Sequence, residues 1–239
     1  MSRAAPGAAW QSEHLAADYV ARRRILLPLL DVQEEIVTLL LARHGRPIEC
    51  FLDLGCGAGA MSELLLDALP GSNGLGLDFS EPMLACATES LARHGERWRA
   101  LAADLGSPAW SEALPDAPFD AIVSGLAIHH LPPERKPALF AEAFSLLAPG
   151  GMFINMDYVA IDGPLRGLFD ERMLENAVRA ERAAGGTRHE HELDLEDDDD
   201  RPDTVEDQLR WLRDAGFAQV ETHFKWAEAA VFGGTRPDG

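Results

Sequence analysis

The chain is predicted to be an α/β protein built on a doubly wound, mostly parallel sheet that ends in an antiparallel strand. Three observations carry this. Short apolar runs alternate with helical stretches from residue 48 onward. A glycine-rich turn joins the first strand to the first helix of that series, at Asp53-Leu-Gly55-Cys56-Gly57-Ala-Gly59. Carboxylates then follow successive strands, at Asp78 and Asp104. Strand and helix in alternation imply a parallel sheet covered on both faces, and ligands of such sheets bind outside the carboxyl ends of the strands.

The elements run as follows. Residues 14–44 read as helix, with Leu26, Leu29, Leu30, Ile36, Leu40 and Leu41 near helical spacing and Pro28 dividing it into two pieces. This makes residues 1–47 an N-terminal arm, either a lid or a packing layer, ahead of a domain over 48–239. Strands are predicted at Ile48–Leu54, Asn73–Leu77, Trp98–Ala102, Phe119–Ser124 and Met152–Met156, the last after a turn at Pro149-Gly150-Gly151. Helices are predicted at Ala60–Leu69, Glu81–His94 and Glu134–Leu147. An inserted helix over 164–184 and an acidic loop up to Pro202 precede a last helix, Thr204–Ala215, which stops at Gly216. Phe217–Trp226 and Ala229–Thr235 form a final strand pair.

Composition narrows the class. The 239 residues suit one α/β domain with a full core. No apolar run approaches the ~18 residues of a membrane span, and Met1 to Trp10 lacks the plan of a secretory signal. Cys50, Cys56 and Cys86 do not make a disulfide framework, so the expected compartment is the reducing cytoplasm. The net charge is −19, and Glu190–Asp200 holds eight acidic residues and no basic one. That balance disfavours a polyanionic partner, the Arg22–Arg24 cluster notwithstanding. A small-molecule substrate is expected, no membrane, and a homodimer is left open.

The glycine turn lets the backbone approach a ligand closely, while the following helix offers free N–H donors. By itself it also fits a relaxed dinucleotide fingerprint through Gly55, Gly57 and Ala60. Asp78, 23 residues after Gly55, can accept both hydroxyls of a ribose, and it or Ser80 also reads as a helix N-cap. Asp104, past the third strand, can accept from an exocyclic amine.

Taken with Leu77-Asp78-Phe79-Ser80-Glu-Pro82-Met83-Leu84, Phe119-Asp120-Ala-Ile-Val-Ser124, Ile128-His129-His130-Leu131 and Leu147-Ala-Pro149-Gly150-Gly151, the chain resembles the class I S-adenosylmethionine (SAM) dependent methyltransferases over residues 48 to 158. The resemblance implies a Rossmann-like fold, SAM as cofactor and S-adenosylhomocysteine as product. It places Asp53, Gly55, Cys56 and Gly57 at the methionine part, Asp78 on the ribose, Phe79 and Met83 against the adenine, Asp104 and Leu105 at the adenine amine, and Ser124 beside the sulfonium. The arm, through Tyr19, Arg24 and Leu27-Pro28, and the segment from Asp203 to Phe217 look like the branch that modifies the tRNA wobble uridine with carboxy-SAM. In a lid reading, Tyr19 and Arg24 close the cofactor site. That branch is expected to carry a basic residue upstream of the last helix. Here the stretch is acidic, which favours plain SAM.

A sulfonium methyl needs alignment and dryness more than activation. Where the acceptor is protonated a base helps, and His129, His130, Asp157 and Tyr158 are the candidates at the fourth and fifth strand ends. The His-His pair also reads as a shaper of the SAM site. No metal is expected, since adjacent histidines seldom converge on one ion. The acidic stretch is expected to be a solvated loop, with a funnel for a cationic substrate as the sharper alternative. The leading function is methyl transfer to a small molecule. The alternatives are a tRNA-modifying (carboxy)methyltransferase, a non-catalytic SAM-binding protein and, last, a nicotinamide oxidoreductase.

Overall fold

The computed structural model describes residues 11, 23–112, 114–115, 118–183, 185 and 200–238. Its strands are β1 Cys50–Leu54, β2 Asn73–Asp78, β3 Trp98–Ala102, β4 Phe119–Gly125, β5 Leu147–Tyr158, β6 Ala218–Trp226 and β7 Ala229–Thr235. Its helices are α1 Leu30–Ala42, α2 Ala60–Ala68, α3 Glu81–Ser90, α4 Lys136–Leu146, α5 Leu168–Ala183 and α6 Val205–Ala215. The strands form one sheet in the order β3-β2-β1-β4-β5-β7-β6. The first five are parallel, and β7 runs antiparallel to both β5 and β6. The order reverses between β1 and β4, which is the switch point where such sheets bind ligands.

Alternation along the strands explains the two layers. Leu52, Leu54, Ile122, Phe153 and Phe232 point to one face and pack with Leu139, Phe140, Ala143 and Leu212 of α4 and α6. Their neighbours Phe51, Ala121, Val123, Ile154 and Val231 point to the other, against Val37, Leu41, Leu65, Leu66, Leu84 and Ala87 of α1, α2 and α3. The second piece of the arm is therefore a packing helix of the sheet. Pro28 separates it from helical residues 23–26, and Leu29 takes a left-handed φ of 55° at the break.

Most boundaries differ from expectation by a few residues, and three of the differences have a local cause. The predicted helix Glu81–His94 ends at Ser90 and gives way to a 3-10 stretch broken at Gly95, whose φ is 59°. Pro149-Gly150-Gly151 is no turn ahead of a strand. It is an irregularity inside β5, where pairing with β4 jumps from Leu147 opposite Phe119 to Met152 opposite Ala121. The extra residues are held by His44, whose ring nitrogen lies 2.6 Å from the Gly150 carbonyl, and by paired backbone bonds with Arg236. The last helix begins one residue later than predicted, because Thr204 caps it by accepting from the Asp207 N–H at 3.1 Å. Among the described residues no helix is long and apolar enough to cross a membrane.

Candidate active site

The carboxyl ends of β1 to β5 line one edge of the sheet. At β1 the chain leaves through Gly55 and Gly57, with φ of 67° and 52°. A Cβ on Gly55 would lie 2.3 Å from the Ala127 Cβ, so this glycine is required by the packing of the β4 loop. A Cβ on Gly57 would meet nothing within 4 Å, so this turn faces open space. The Cys56 N–H donates to the Leu77 carbonyl at 2.7 Å and ties the turn to β2. The Cys56 side chain is buried toward Gly76 and Trp98, so only its backbone borders the edge.

Asp78 stands at the end of β2, almost wholly buried. Its Oδ2 accepts from the Gly57 N–H and its Oδ1 from the Ser80 N–H, both at 2.8 Å. The Phe79 N–H also bonds this carboxylate, which leaves it acceptor capacity for a ribose hydroxyl. Burial raises its pKa, opposed by these N–H donors. Ser80 is the N-cap of α3, accepting from the Met83 N–H at 3.2 Å, so the ribose and helix-start readings fall on adjacent residues. Phe79 is exposed over the edge and Met83 is buried beneath it. Asp104 is exposed beyond β3 and accepts from the Gly106 N–H at 2.8 Å, while Leu105 is buried and its carbonyl accepts from Arg135 Nε at 2.9 Å.

Asp53 is fully buried in β1. Its Oδ2 accepts from Ser62 Oγ at 2.7 Å, and its Oδ1 has no hydrogen-bond partner among the described residues. Burial pushes its pKa up to about 7, against the Ser62 hydrogen bonds. The nearby cation is Arg23, not Arg24. Arg23 is buried, bonds Glu34 at 3.1 Å and acts on the Asp53 charge. Arg24 is two-thirds exposed and pairs outward with Asp31 and Glu34. Tyr19 lies outside the described residues. Ser124 is buried and its hydroxyl donates to the Leu54 carbonyl at 2.8 Å, so its side chain braces β4 on β1.

The ends of β4 and β5 carry the other half. Leu126 holds φ 56° after β4, and a 3-10 turn, Ile128–His130, follows. Asp157 is buried and saturated. Its Oδ1 lies 2.6 Å from His129 Nδ1 and accepts from the Tyr158 N–H at 2.9 Å; its Oδ2 accepts from the His129 N–H and from Asn155 Nδ2, both at 3.1 Å. Asp157 therefore positions His129 and has little left for a substrate. Burial alone would lower the His129 pKa, but Asp157 and Asp200 outweigh it and carry it up to about 9. Tyr158 donates to Asp170 at 3.1 Å, and burial with that carboxylate raises its phenol well above the ordinary range. As arranged here, the surrounding carboxylates favour the protonated forms of both His129 and Tyr158.

Asp200 was not foreseen as a site residue. Its Oδ1 lies 3.3 Å from His129 Nε2 and 3.1 Å from His130 Nδ1. The two imidazole rings stand 4.0 Å apart. The 3-10 turn brings both rings to one carboxylate. Lys136, buried at the start of α4, explains why Asp200 is there. Its Nζ donates to the Arg201 carbonyl and bonds Asp203 at 2.6 Å. The Arg201 N–H donates to the His129 carbonyl at 2.9 Å, and Ala160 N–H to Asp203 O at 3.0 Å. Residues 200–204 are thus strapped across the ends of β4 and β5. Residues 190–199 of the acidic run lie outside the described residues. Glu228, buried in the β6–β7 turn, accepts from the Gly167 and Phe169 N–H groups and so fixes the start of α5. α5 in turn packs Ala177 and Val178 on Leu26 of the arm.

A glycine turn, a buried acceptor after β2 and an exposed aromatic beside it, set at a topological switch point, define a nucleoside-binding α/β protein. The comparisons specify which. A methyltransferase-domain family model matches residues 51–151. Demethylmenaquinone methyltransferase of Thermus thermophilus is 32% identical over 107 residues, 45% of this chain and 46% of that protein. Carboxy-S-adenosyl-L-methionine synthase of Chromohalobacter salexigens is 28% identical over 204 residues, 80% of this chain and 70% of that protein. The solved structure of human N-acetylserotonin methyltransferase with SAM superposes with a TM-score of 0.66 at 15% identity, over 98% of this chain and 60% of that one. The chain thus spans about half the length of the first relative and 60% of this solved neighbour. Residues 51–151 thus match the methyltransferase-domain family, and the fold of the chain is that of SAM-dependent methyltransferases.

Proposed function

We propose that the protein transfers the methyl group of SAM to a small organic acceptor. The observation that carries this is the division of one sheet edge into two chemically distinct halves. The β1–β3 half offers the open Gly57 turn, an Asp53 Oδ1 with no partner among the described residues, and the remaining acceptor capacity of Asp78. These fit SAM: Asp53 for its ammonium, Asp78 for its ribose, and Phe79 with Met83 for its base. The β4–β5 half is roofed by the strap at 200–204 and flanked by α5, and it presents His130 and Asp200.

Bound SAM supplies an electrophilic methyl on a sulfonium. The residues of the chain orient it and keep water from it. Asp157 fixes His129, and Tyr158 stacks edge-on at 6.0 Å from the His129 ring, so this wall is stiff. A small acceptor is supported by the charge of −19 and by the carboxylates Asp170 and Asp200 on the acceptor side, which oppose a phosphate backbone. Both relatives are also named for small molecules. The test is incubation with methyl-labelled SAM and either a small-metabolite extract or bulk tRNA. Label recovered in a small organic product is expected. Label recovered in tRNA alone, or no transfer despite SAM binding, refutes the reading.

One observation favours a second reading. The carboxy-SAM synthase match extends over far more of the chain than the methyltransferase match, 80% against 45%. In that reading SAM itself is the molecule modified. Mass spectrometry of the recovered nucleoside distinguishes the two, because SAM would gain a carboxy group with no methylated acceptor formed.

A further inference from the structure

We propose that His129 Nε2, His130 Nδ1 and Asp200 Oδ1 are the protein ligands of a divalent transition-metal ion. The three atoms lie within 4.8 Å of one another. Nothing in the reading of the chain as a methyltransferase calls for this site, and the two stand or fall separately.

The separations are those of a coordination polyhedron. Ligands held at about 2.0–2.1 Å around a tetrahedral or octahedral ion stand about 2.9–3.4 Å from each other. Asp200 Oδ1 stands 3.3 Å from one imidazole nitrogen and 3.1 Å from the other. Those separations also suit hydrogen bonds to protonated rings, so a second feature is needed to choose. Asp157 supplies it. A ligating histidine nearly always gives its other ring N–H to a carboxylate or carbonyl, which fixes the tautomer and aims the free lone pair at the metal. His129 Nδ1 lies 2.6 Å from Asp157 Oδ1, and that carboxylate is itself immobilised by Asn155 and two backbone N–H groups. With Nδ1–H on Asp157, loss of the other ring proton to an incoming cation leaves the Nε2 lone pair on the side of Asp200, where an ion would lie between the two.

Donor chemistry agrees. Two imidazoles and one carboxylate suit zinc, iron(II), cobalt or manganese rather than calcium or magnesium, which take oxygen shells. Three protein ligands leave at least one position open, and the His130 and Asp200 side chains are 26% and 34% exposed, so the ion can enter and keep an outer ligand. The third ligand is held in reach by the Lys136 anchor of the strap.

The test uses the full chain, stripped with EDTA and then titrated with Co²⁺ and with Zn²⁺. Calorimetry should show one equivalent bound, and Co²⁺ should develop visible d–d absorption. His130→Ala and Asp200→Asn should each weaken binding at least tenfold, and Asp157→Asn by about 10–100-fold through the second shell. Asp170→Asn, whose carboxylate is bonded to Tyr158 instead, should leave affinity unchanged. Circular dichroism melts of each variant separate lost binding from lost folding, and partly exposed His130 keeps the test sound if the buried positions do not tolerate change. Absence of stoichiometric binding would overturn the proposal. So would binding that persists unaltered in folded His130→Ala and Asp200→Asn, since that would place the ion elsewhere.

Discussion

Replacing Asp53 by Asn should make the protein more stable above neutral pH and a poorer binder of SAM. The carboxyl is fully buried, and its pKa stands at about 7 against an ordinary 3.8. The shift of about 3 units corresponds to about 4 kcal/mol. The folded state prefers the proton, so this stabilisation is fully present below pH 3.8 and lost as pH rises through 7. About 2 kcal/mol of the loss falls between pH 5.5 and 8.5, where the carboxylate forms without a partner for Oδ1. Asn carries no charge, and its oxygen can still accept from Ser62 Oγ. Its amide must take the Oδ1 position, where no acceptor waits, at a cost of about 1–3 kcal/mol. Urea unfolding of wild type and variant should therefore show the variant gaining about 2 kcal/mol on wild type from pH 5.5 to 8.5, with other titrations cancelling in the difference. Calorimetry should show weaker SAM binding by the variant at pH 8. A stability difference that does not change with pH would refute the reasoning, as would unaltered affinity.

Three further outcomes are expected. Asp78→Ala should weaken SAM binding more than tenfold by calorimetry, since charge-assisted hydrogen bonds contribute about 1.5–3 kcal/mol, and Asp157→Ala should weaken it less. Gly57→Ala should retain most stability, losing about 1 kcal/mol to its left-handed φ, yet bind SAM poorly because its Cβ enters the open space, whereas Gly55→Ala should lower the melting temperature through its clash with Ala127. Lys136→Met should break a buried pair, costing about 3–5 kcal/mol, and hydrogen exchange should quicken first at the Arg201 and Ala160 amides that the strap protects.

The cofactor half was legible because its chemistry is local. A glycine turn, a strand-end carboxylate and an N-cap are each decided within a few residues, and their order along the chain fixed the sheet. Arg24 came from the resemblance to the carboxy-SAM branch, whereas its neighbour Arg23, about 100° round the helix, is the one that is buried. The acceptor half was opaque for a different reason. Asp200 closed an acidic run that composition assigns to solvent, and Lys136, 64 positions earlier in sequence, joins backbone bonds from Arg201 and Ala160 in holding the strap that sets it against His129 and His130. Glu228 and Asn155 are likewise ordinary strand-region residues until the sheet brings their partners near. The protonation states were beyond sequence for the same reason, since they come from Asp157, Asp170 and Asp200 meeting His129 and Tyr158 across segments.

This asymmetry has a consequence for how the two halves respond to change. Ser124 and Arg24 apart, the assigned SAM contacts among the described residues belong to β1–β3 and the segments that follow them, held by backbone bonds such as Cys56 to Leu77 and Gly57 to Asp78. The acceptor half is assembled from the β4 turn, the end of β5, the 200–204 strap and α5, and it is joined by side chains, Lys136, Asp157 and Glu228. The strap and α5 touch neither the glycine turn nor Asp78 through any of these bonds. Substitution in the strap or along α5 can therefore alter what lies over His130 and Asp200 while the β1–β3 edge keeps its geometry. Backbone-built cofactor sites resist substitution, since changing a side chain leaves their donors in place. A site closed by three buried charged anchors does not, because loss of one leaves its partner unpaired. On that reasoning the surroundings of His130 and Asp200 are more open to change by single replacement than the backbone donors of the β1–β3 edge.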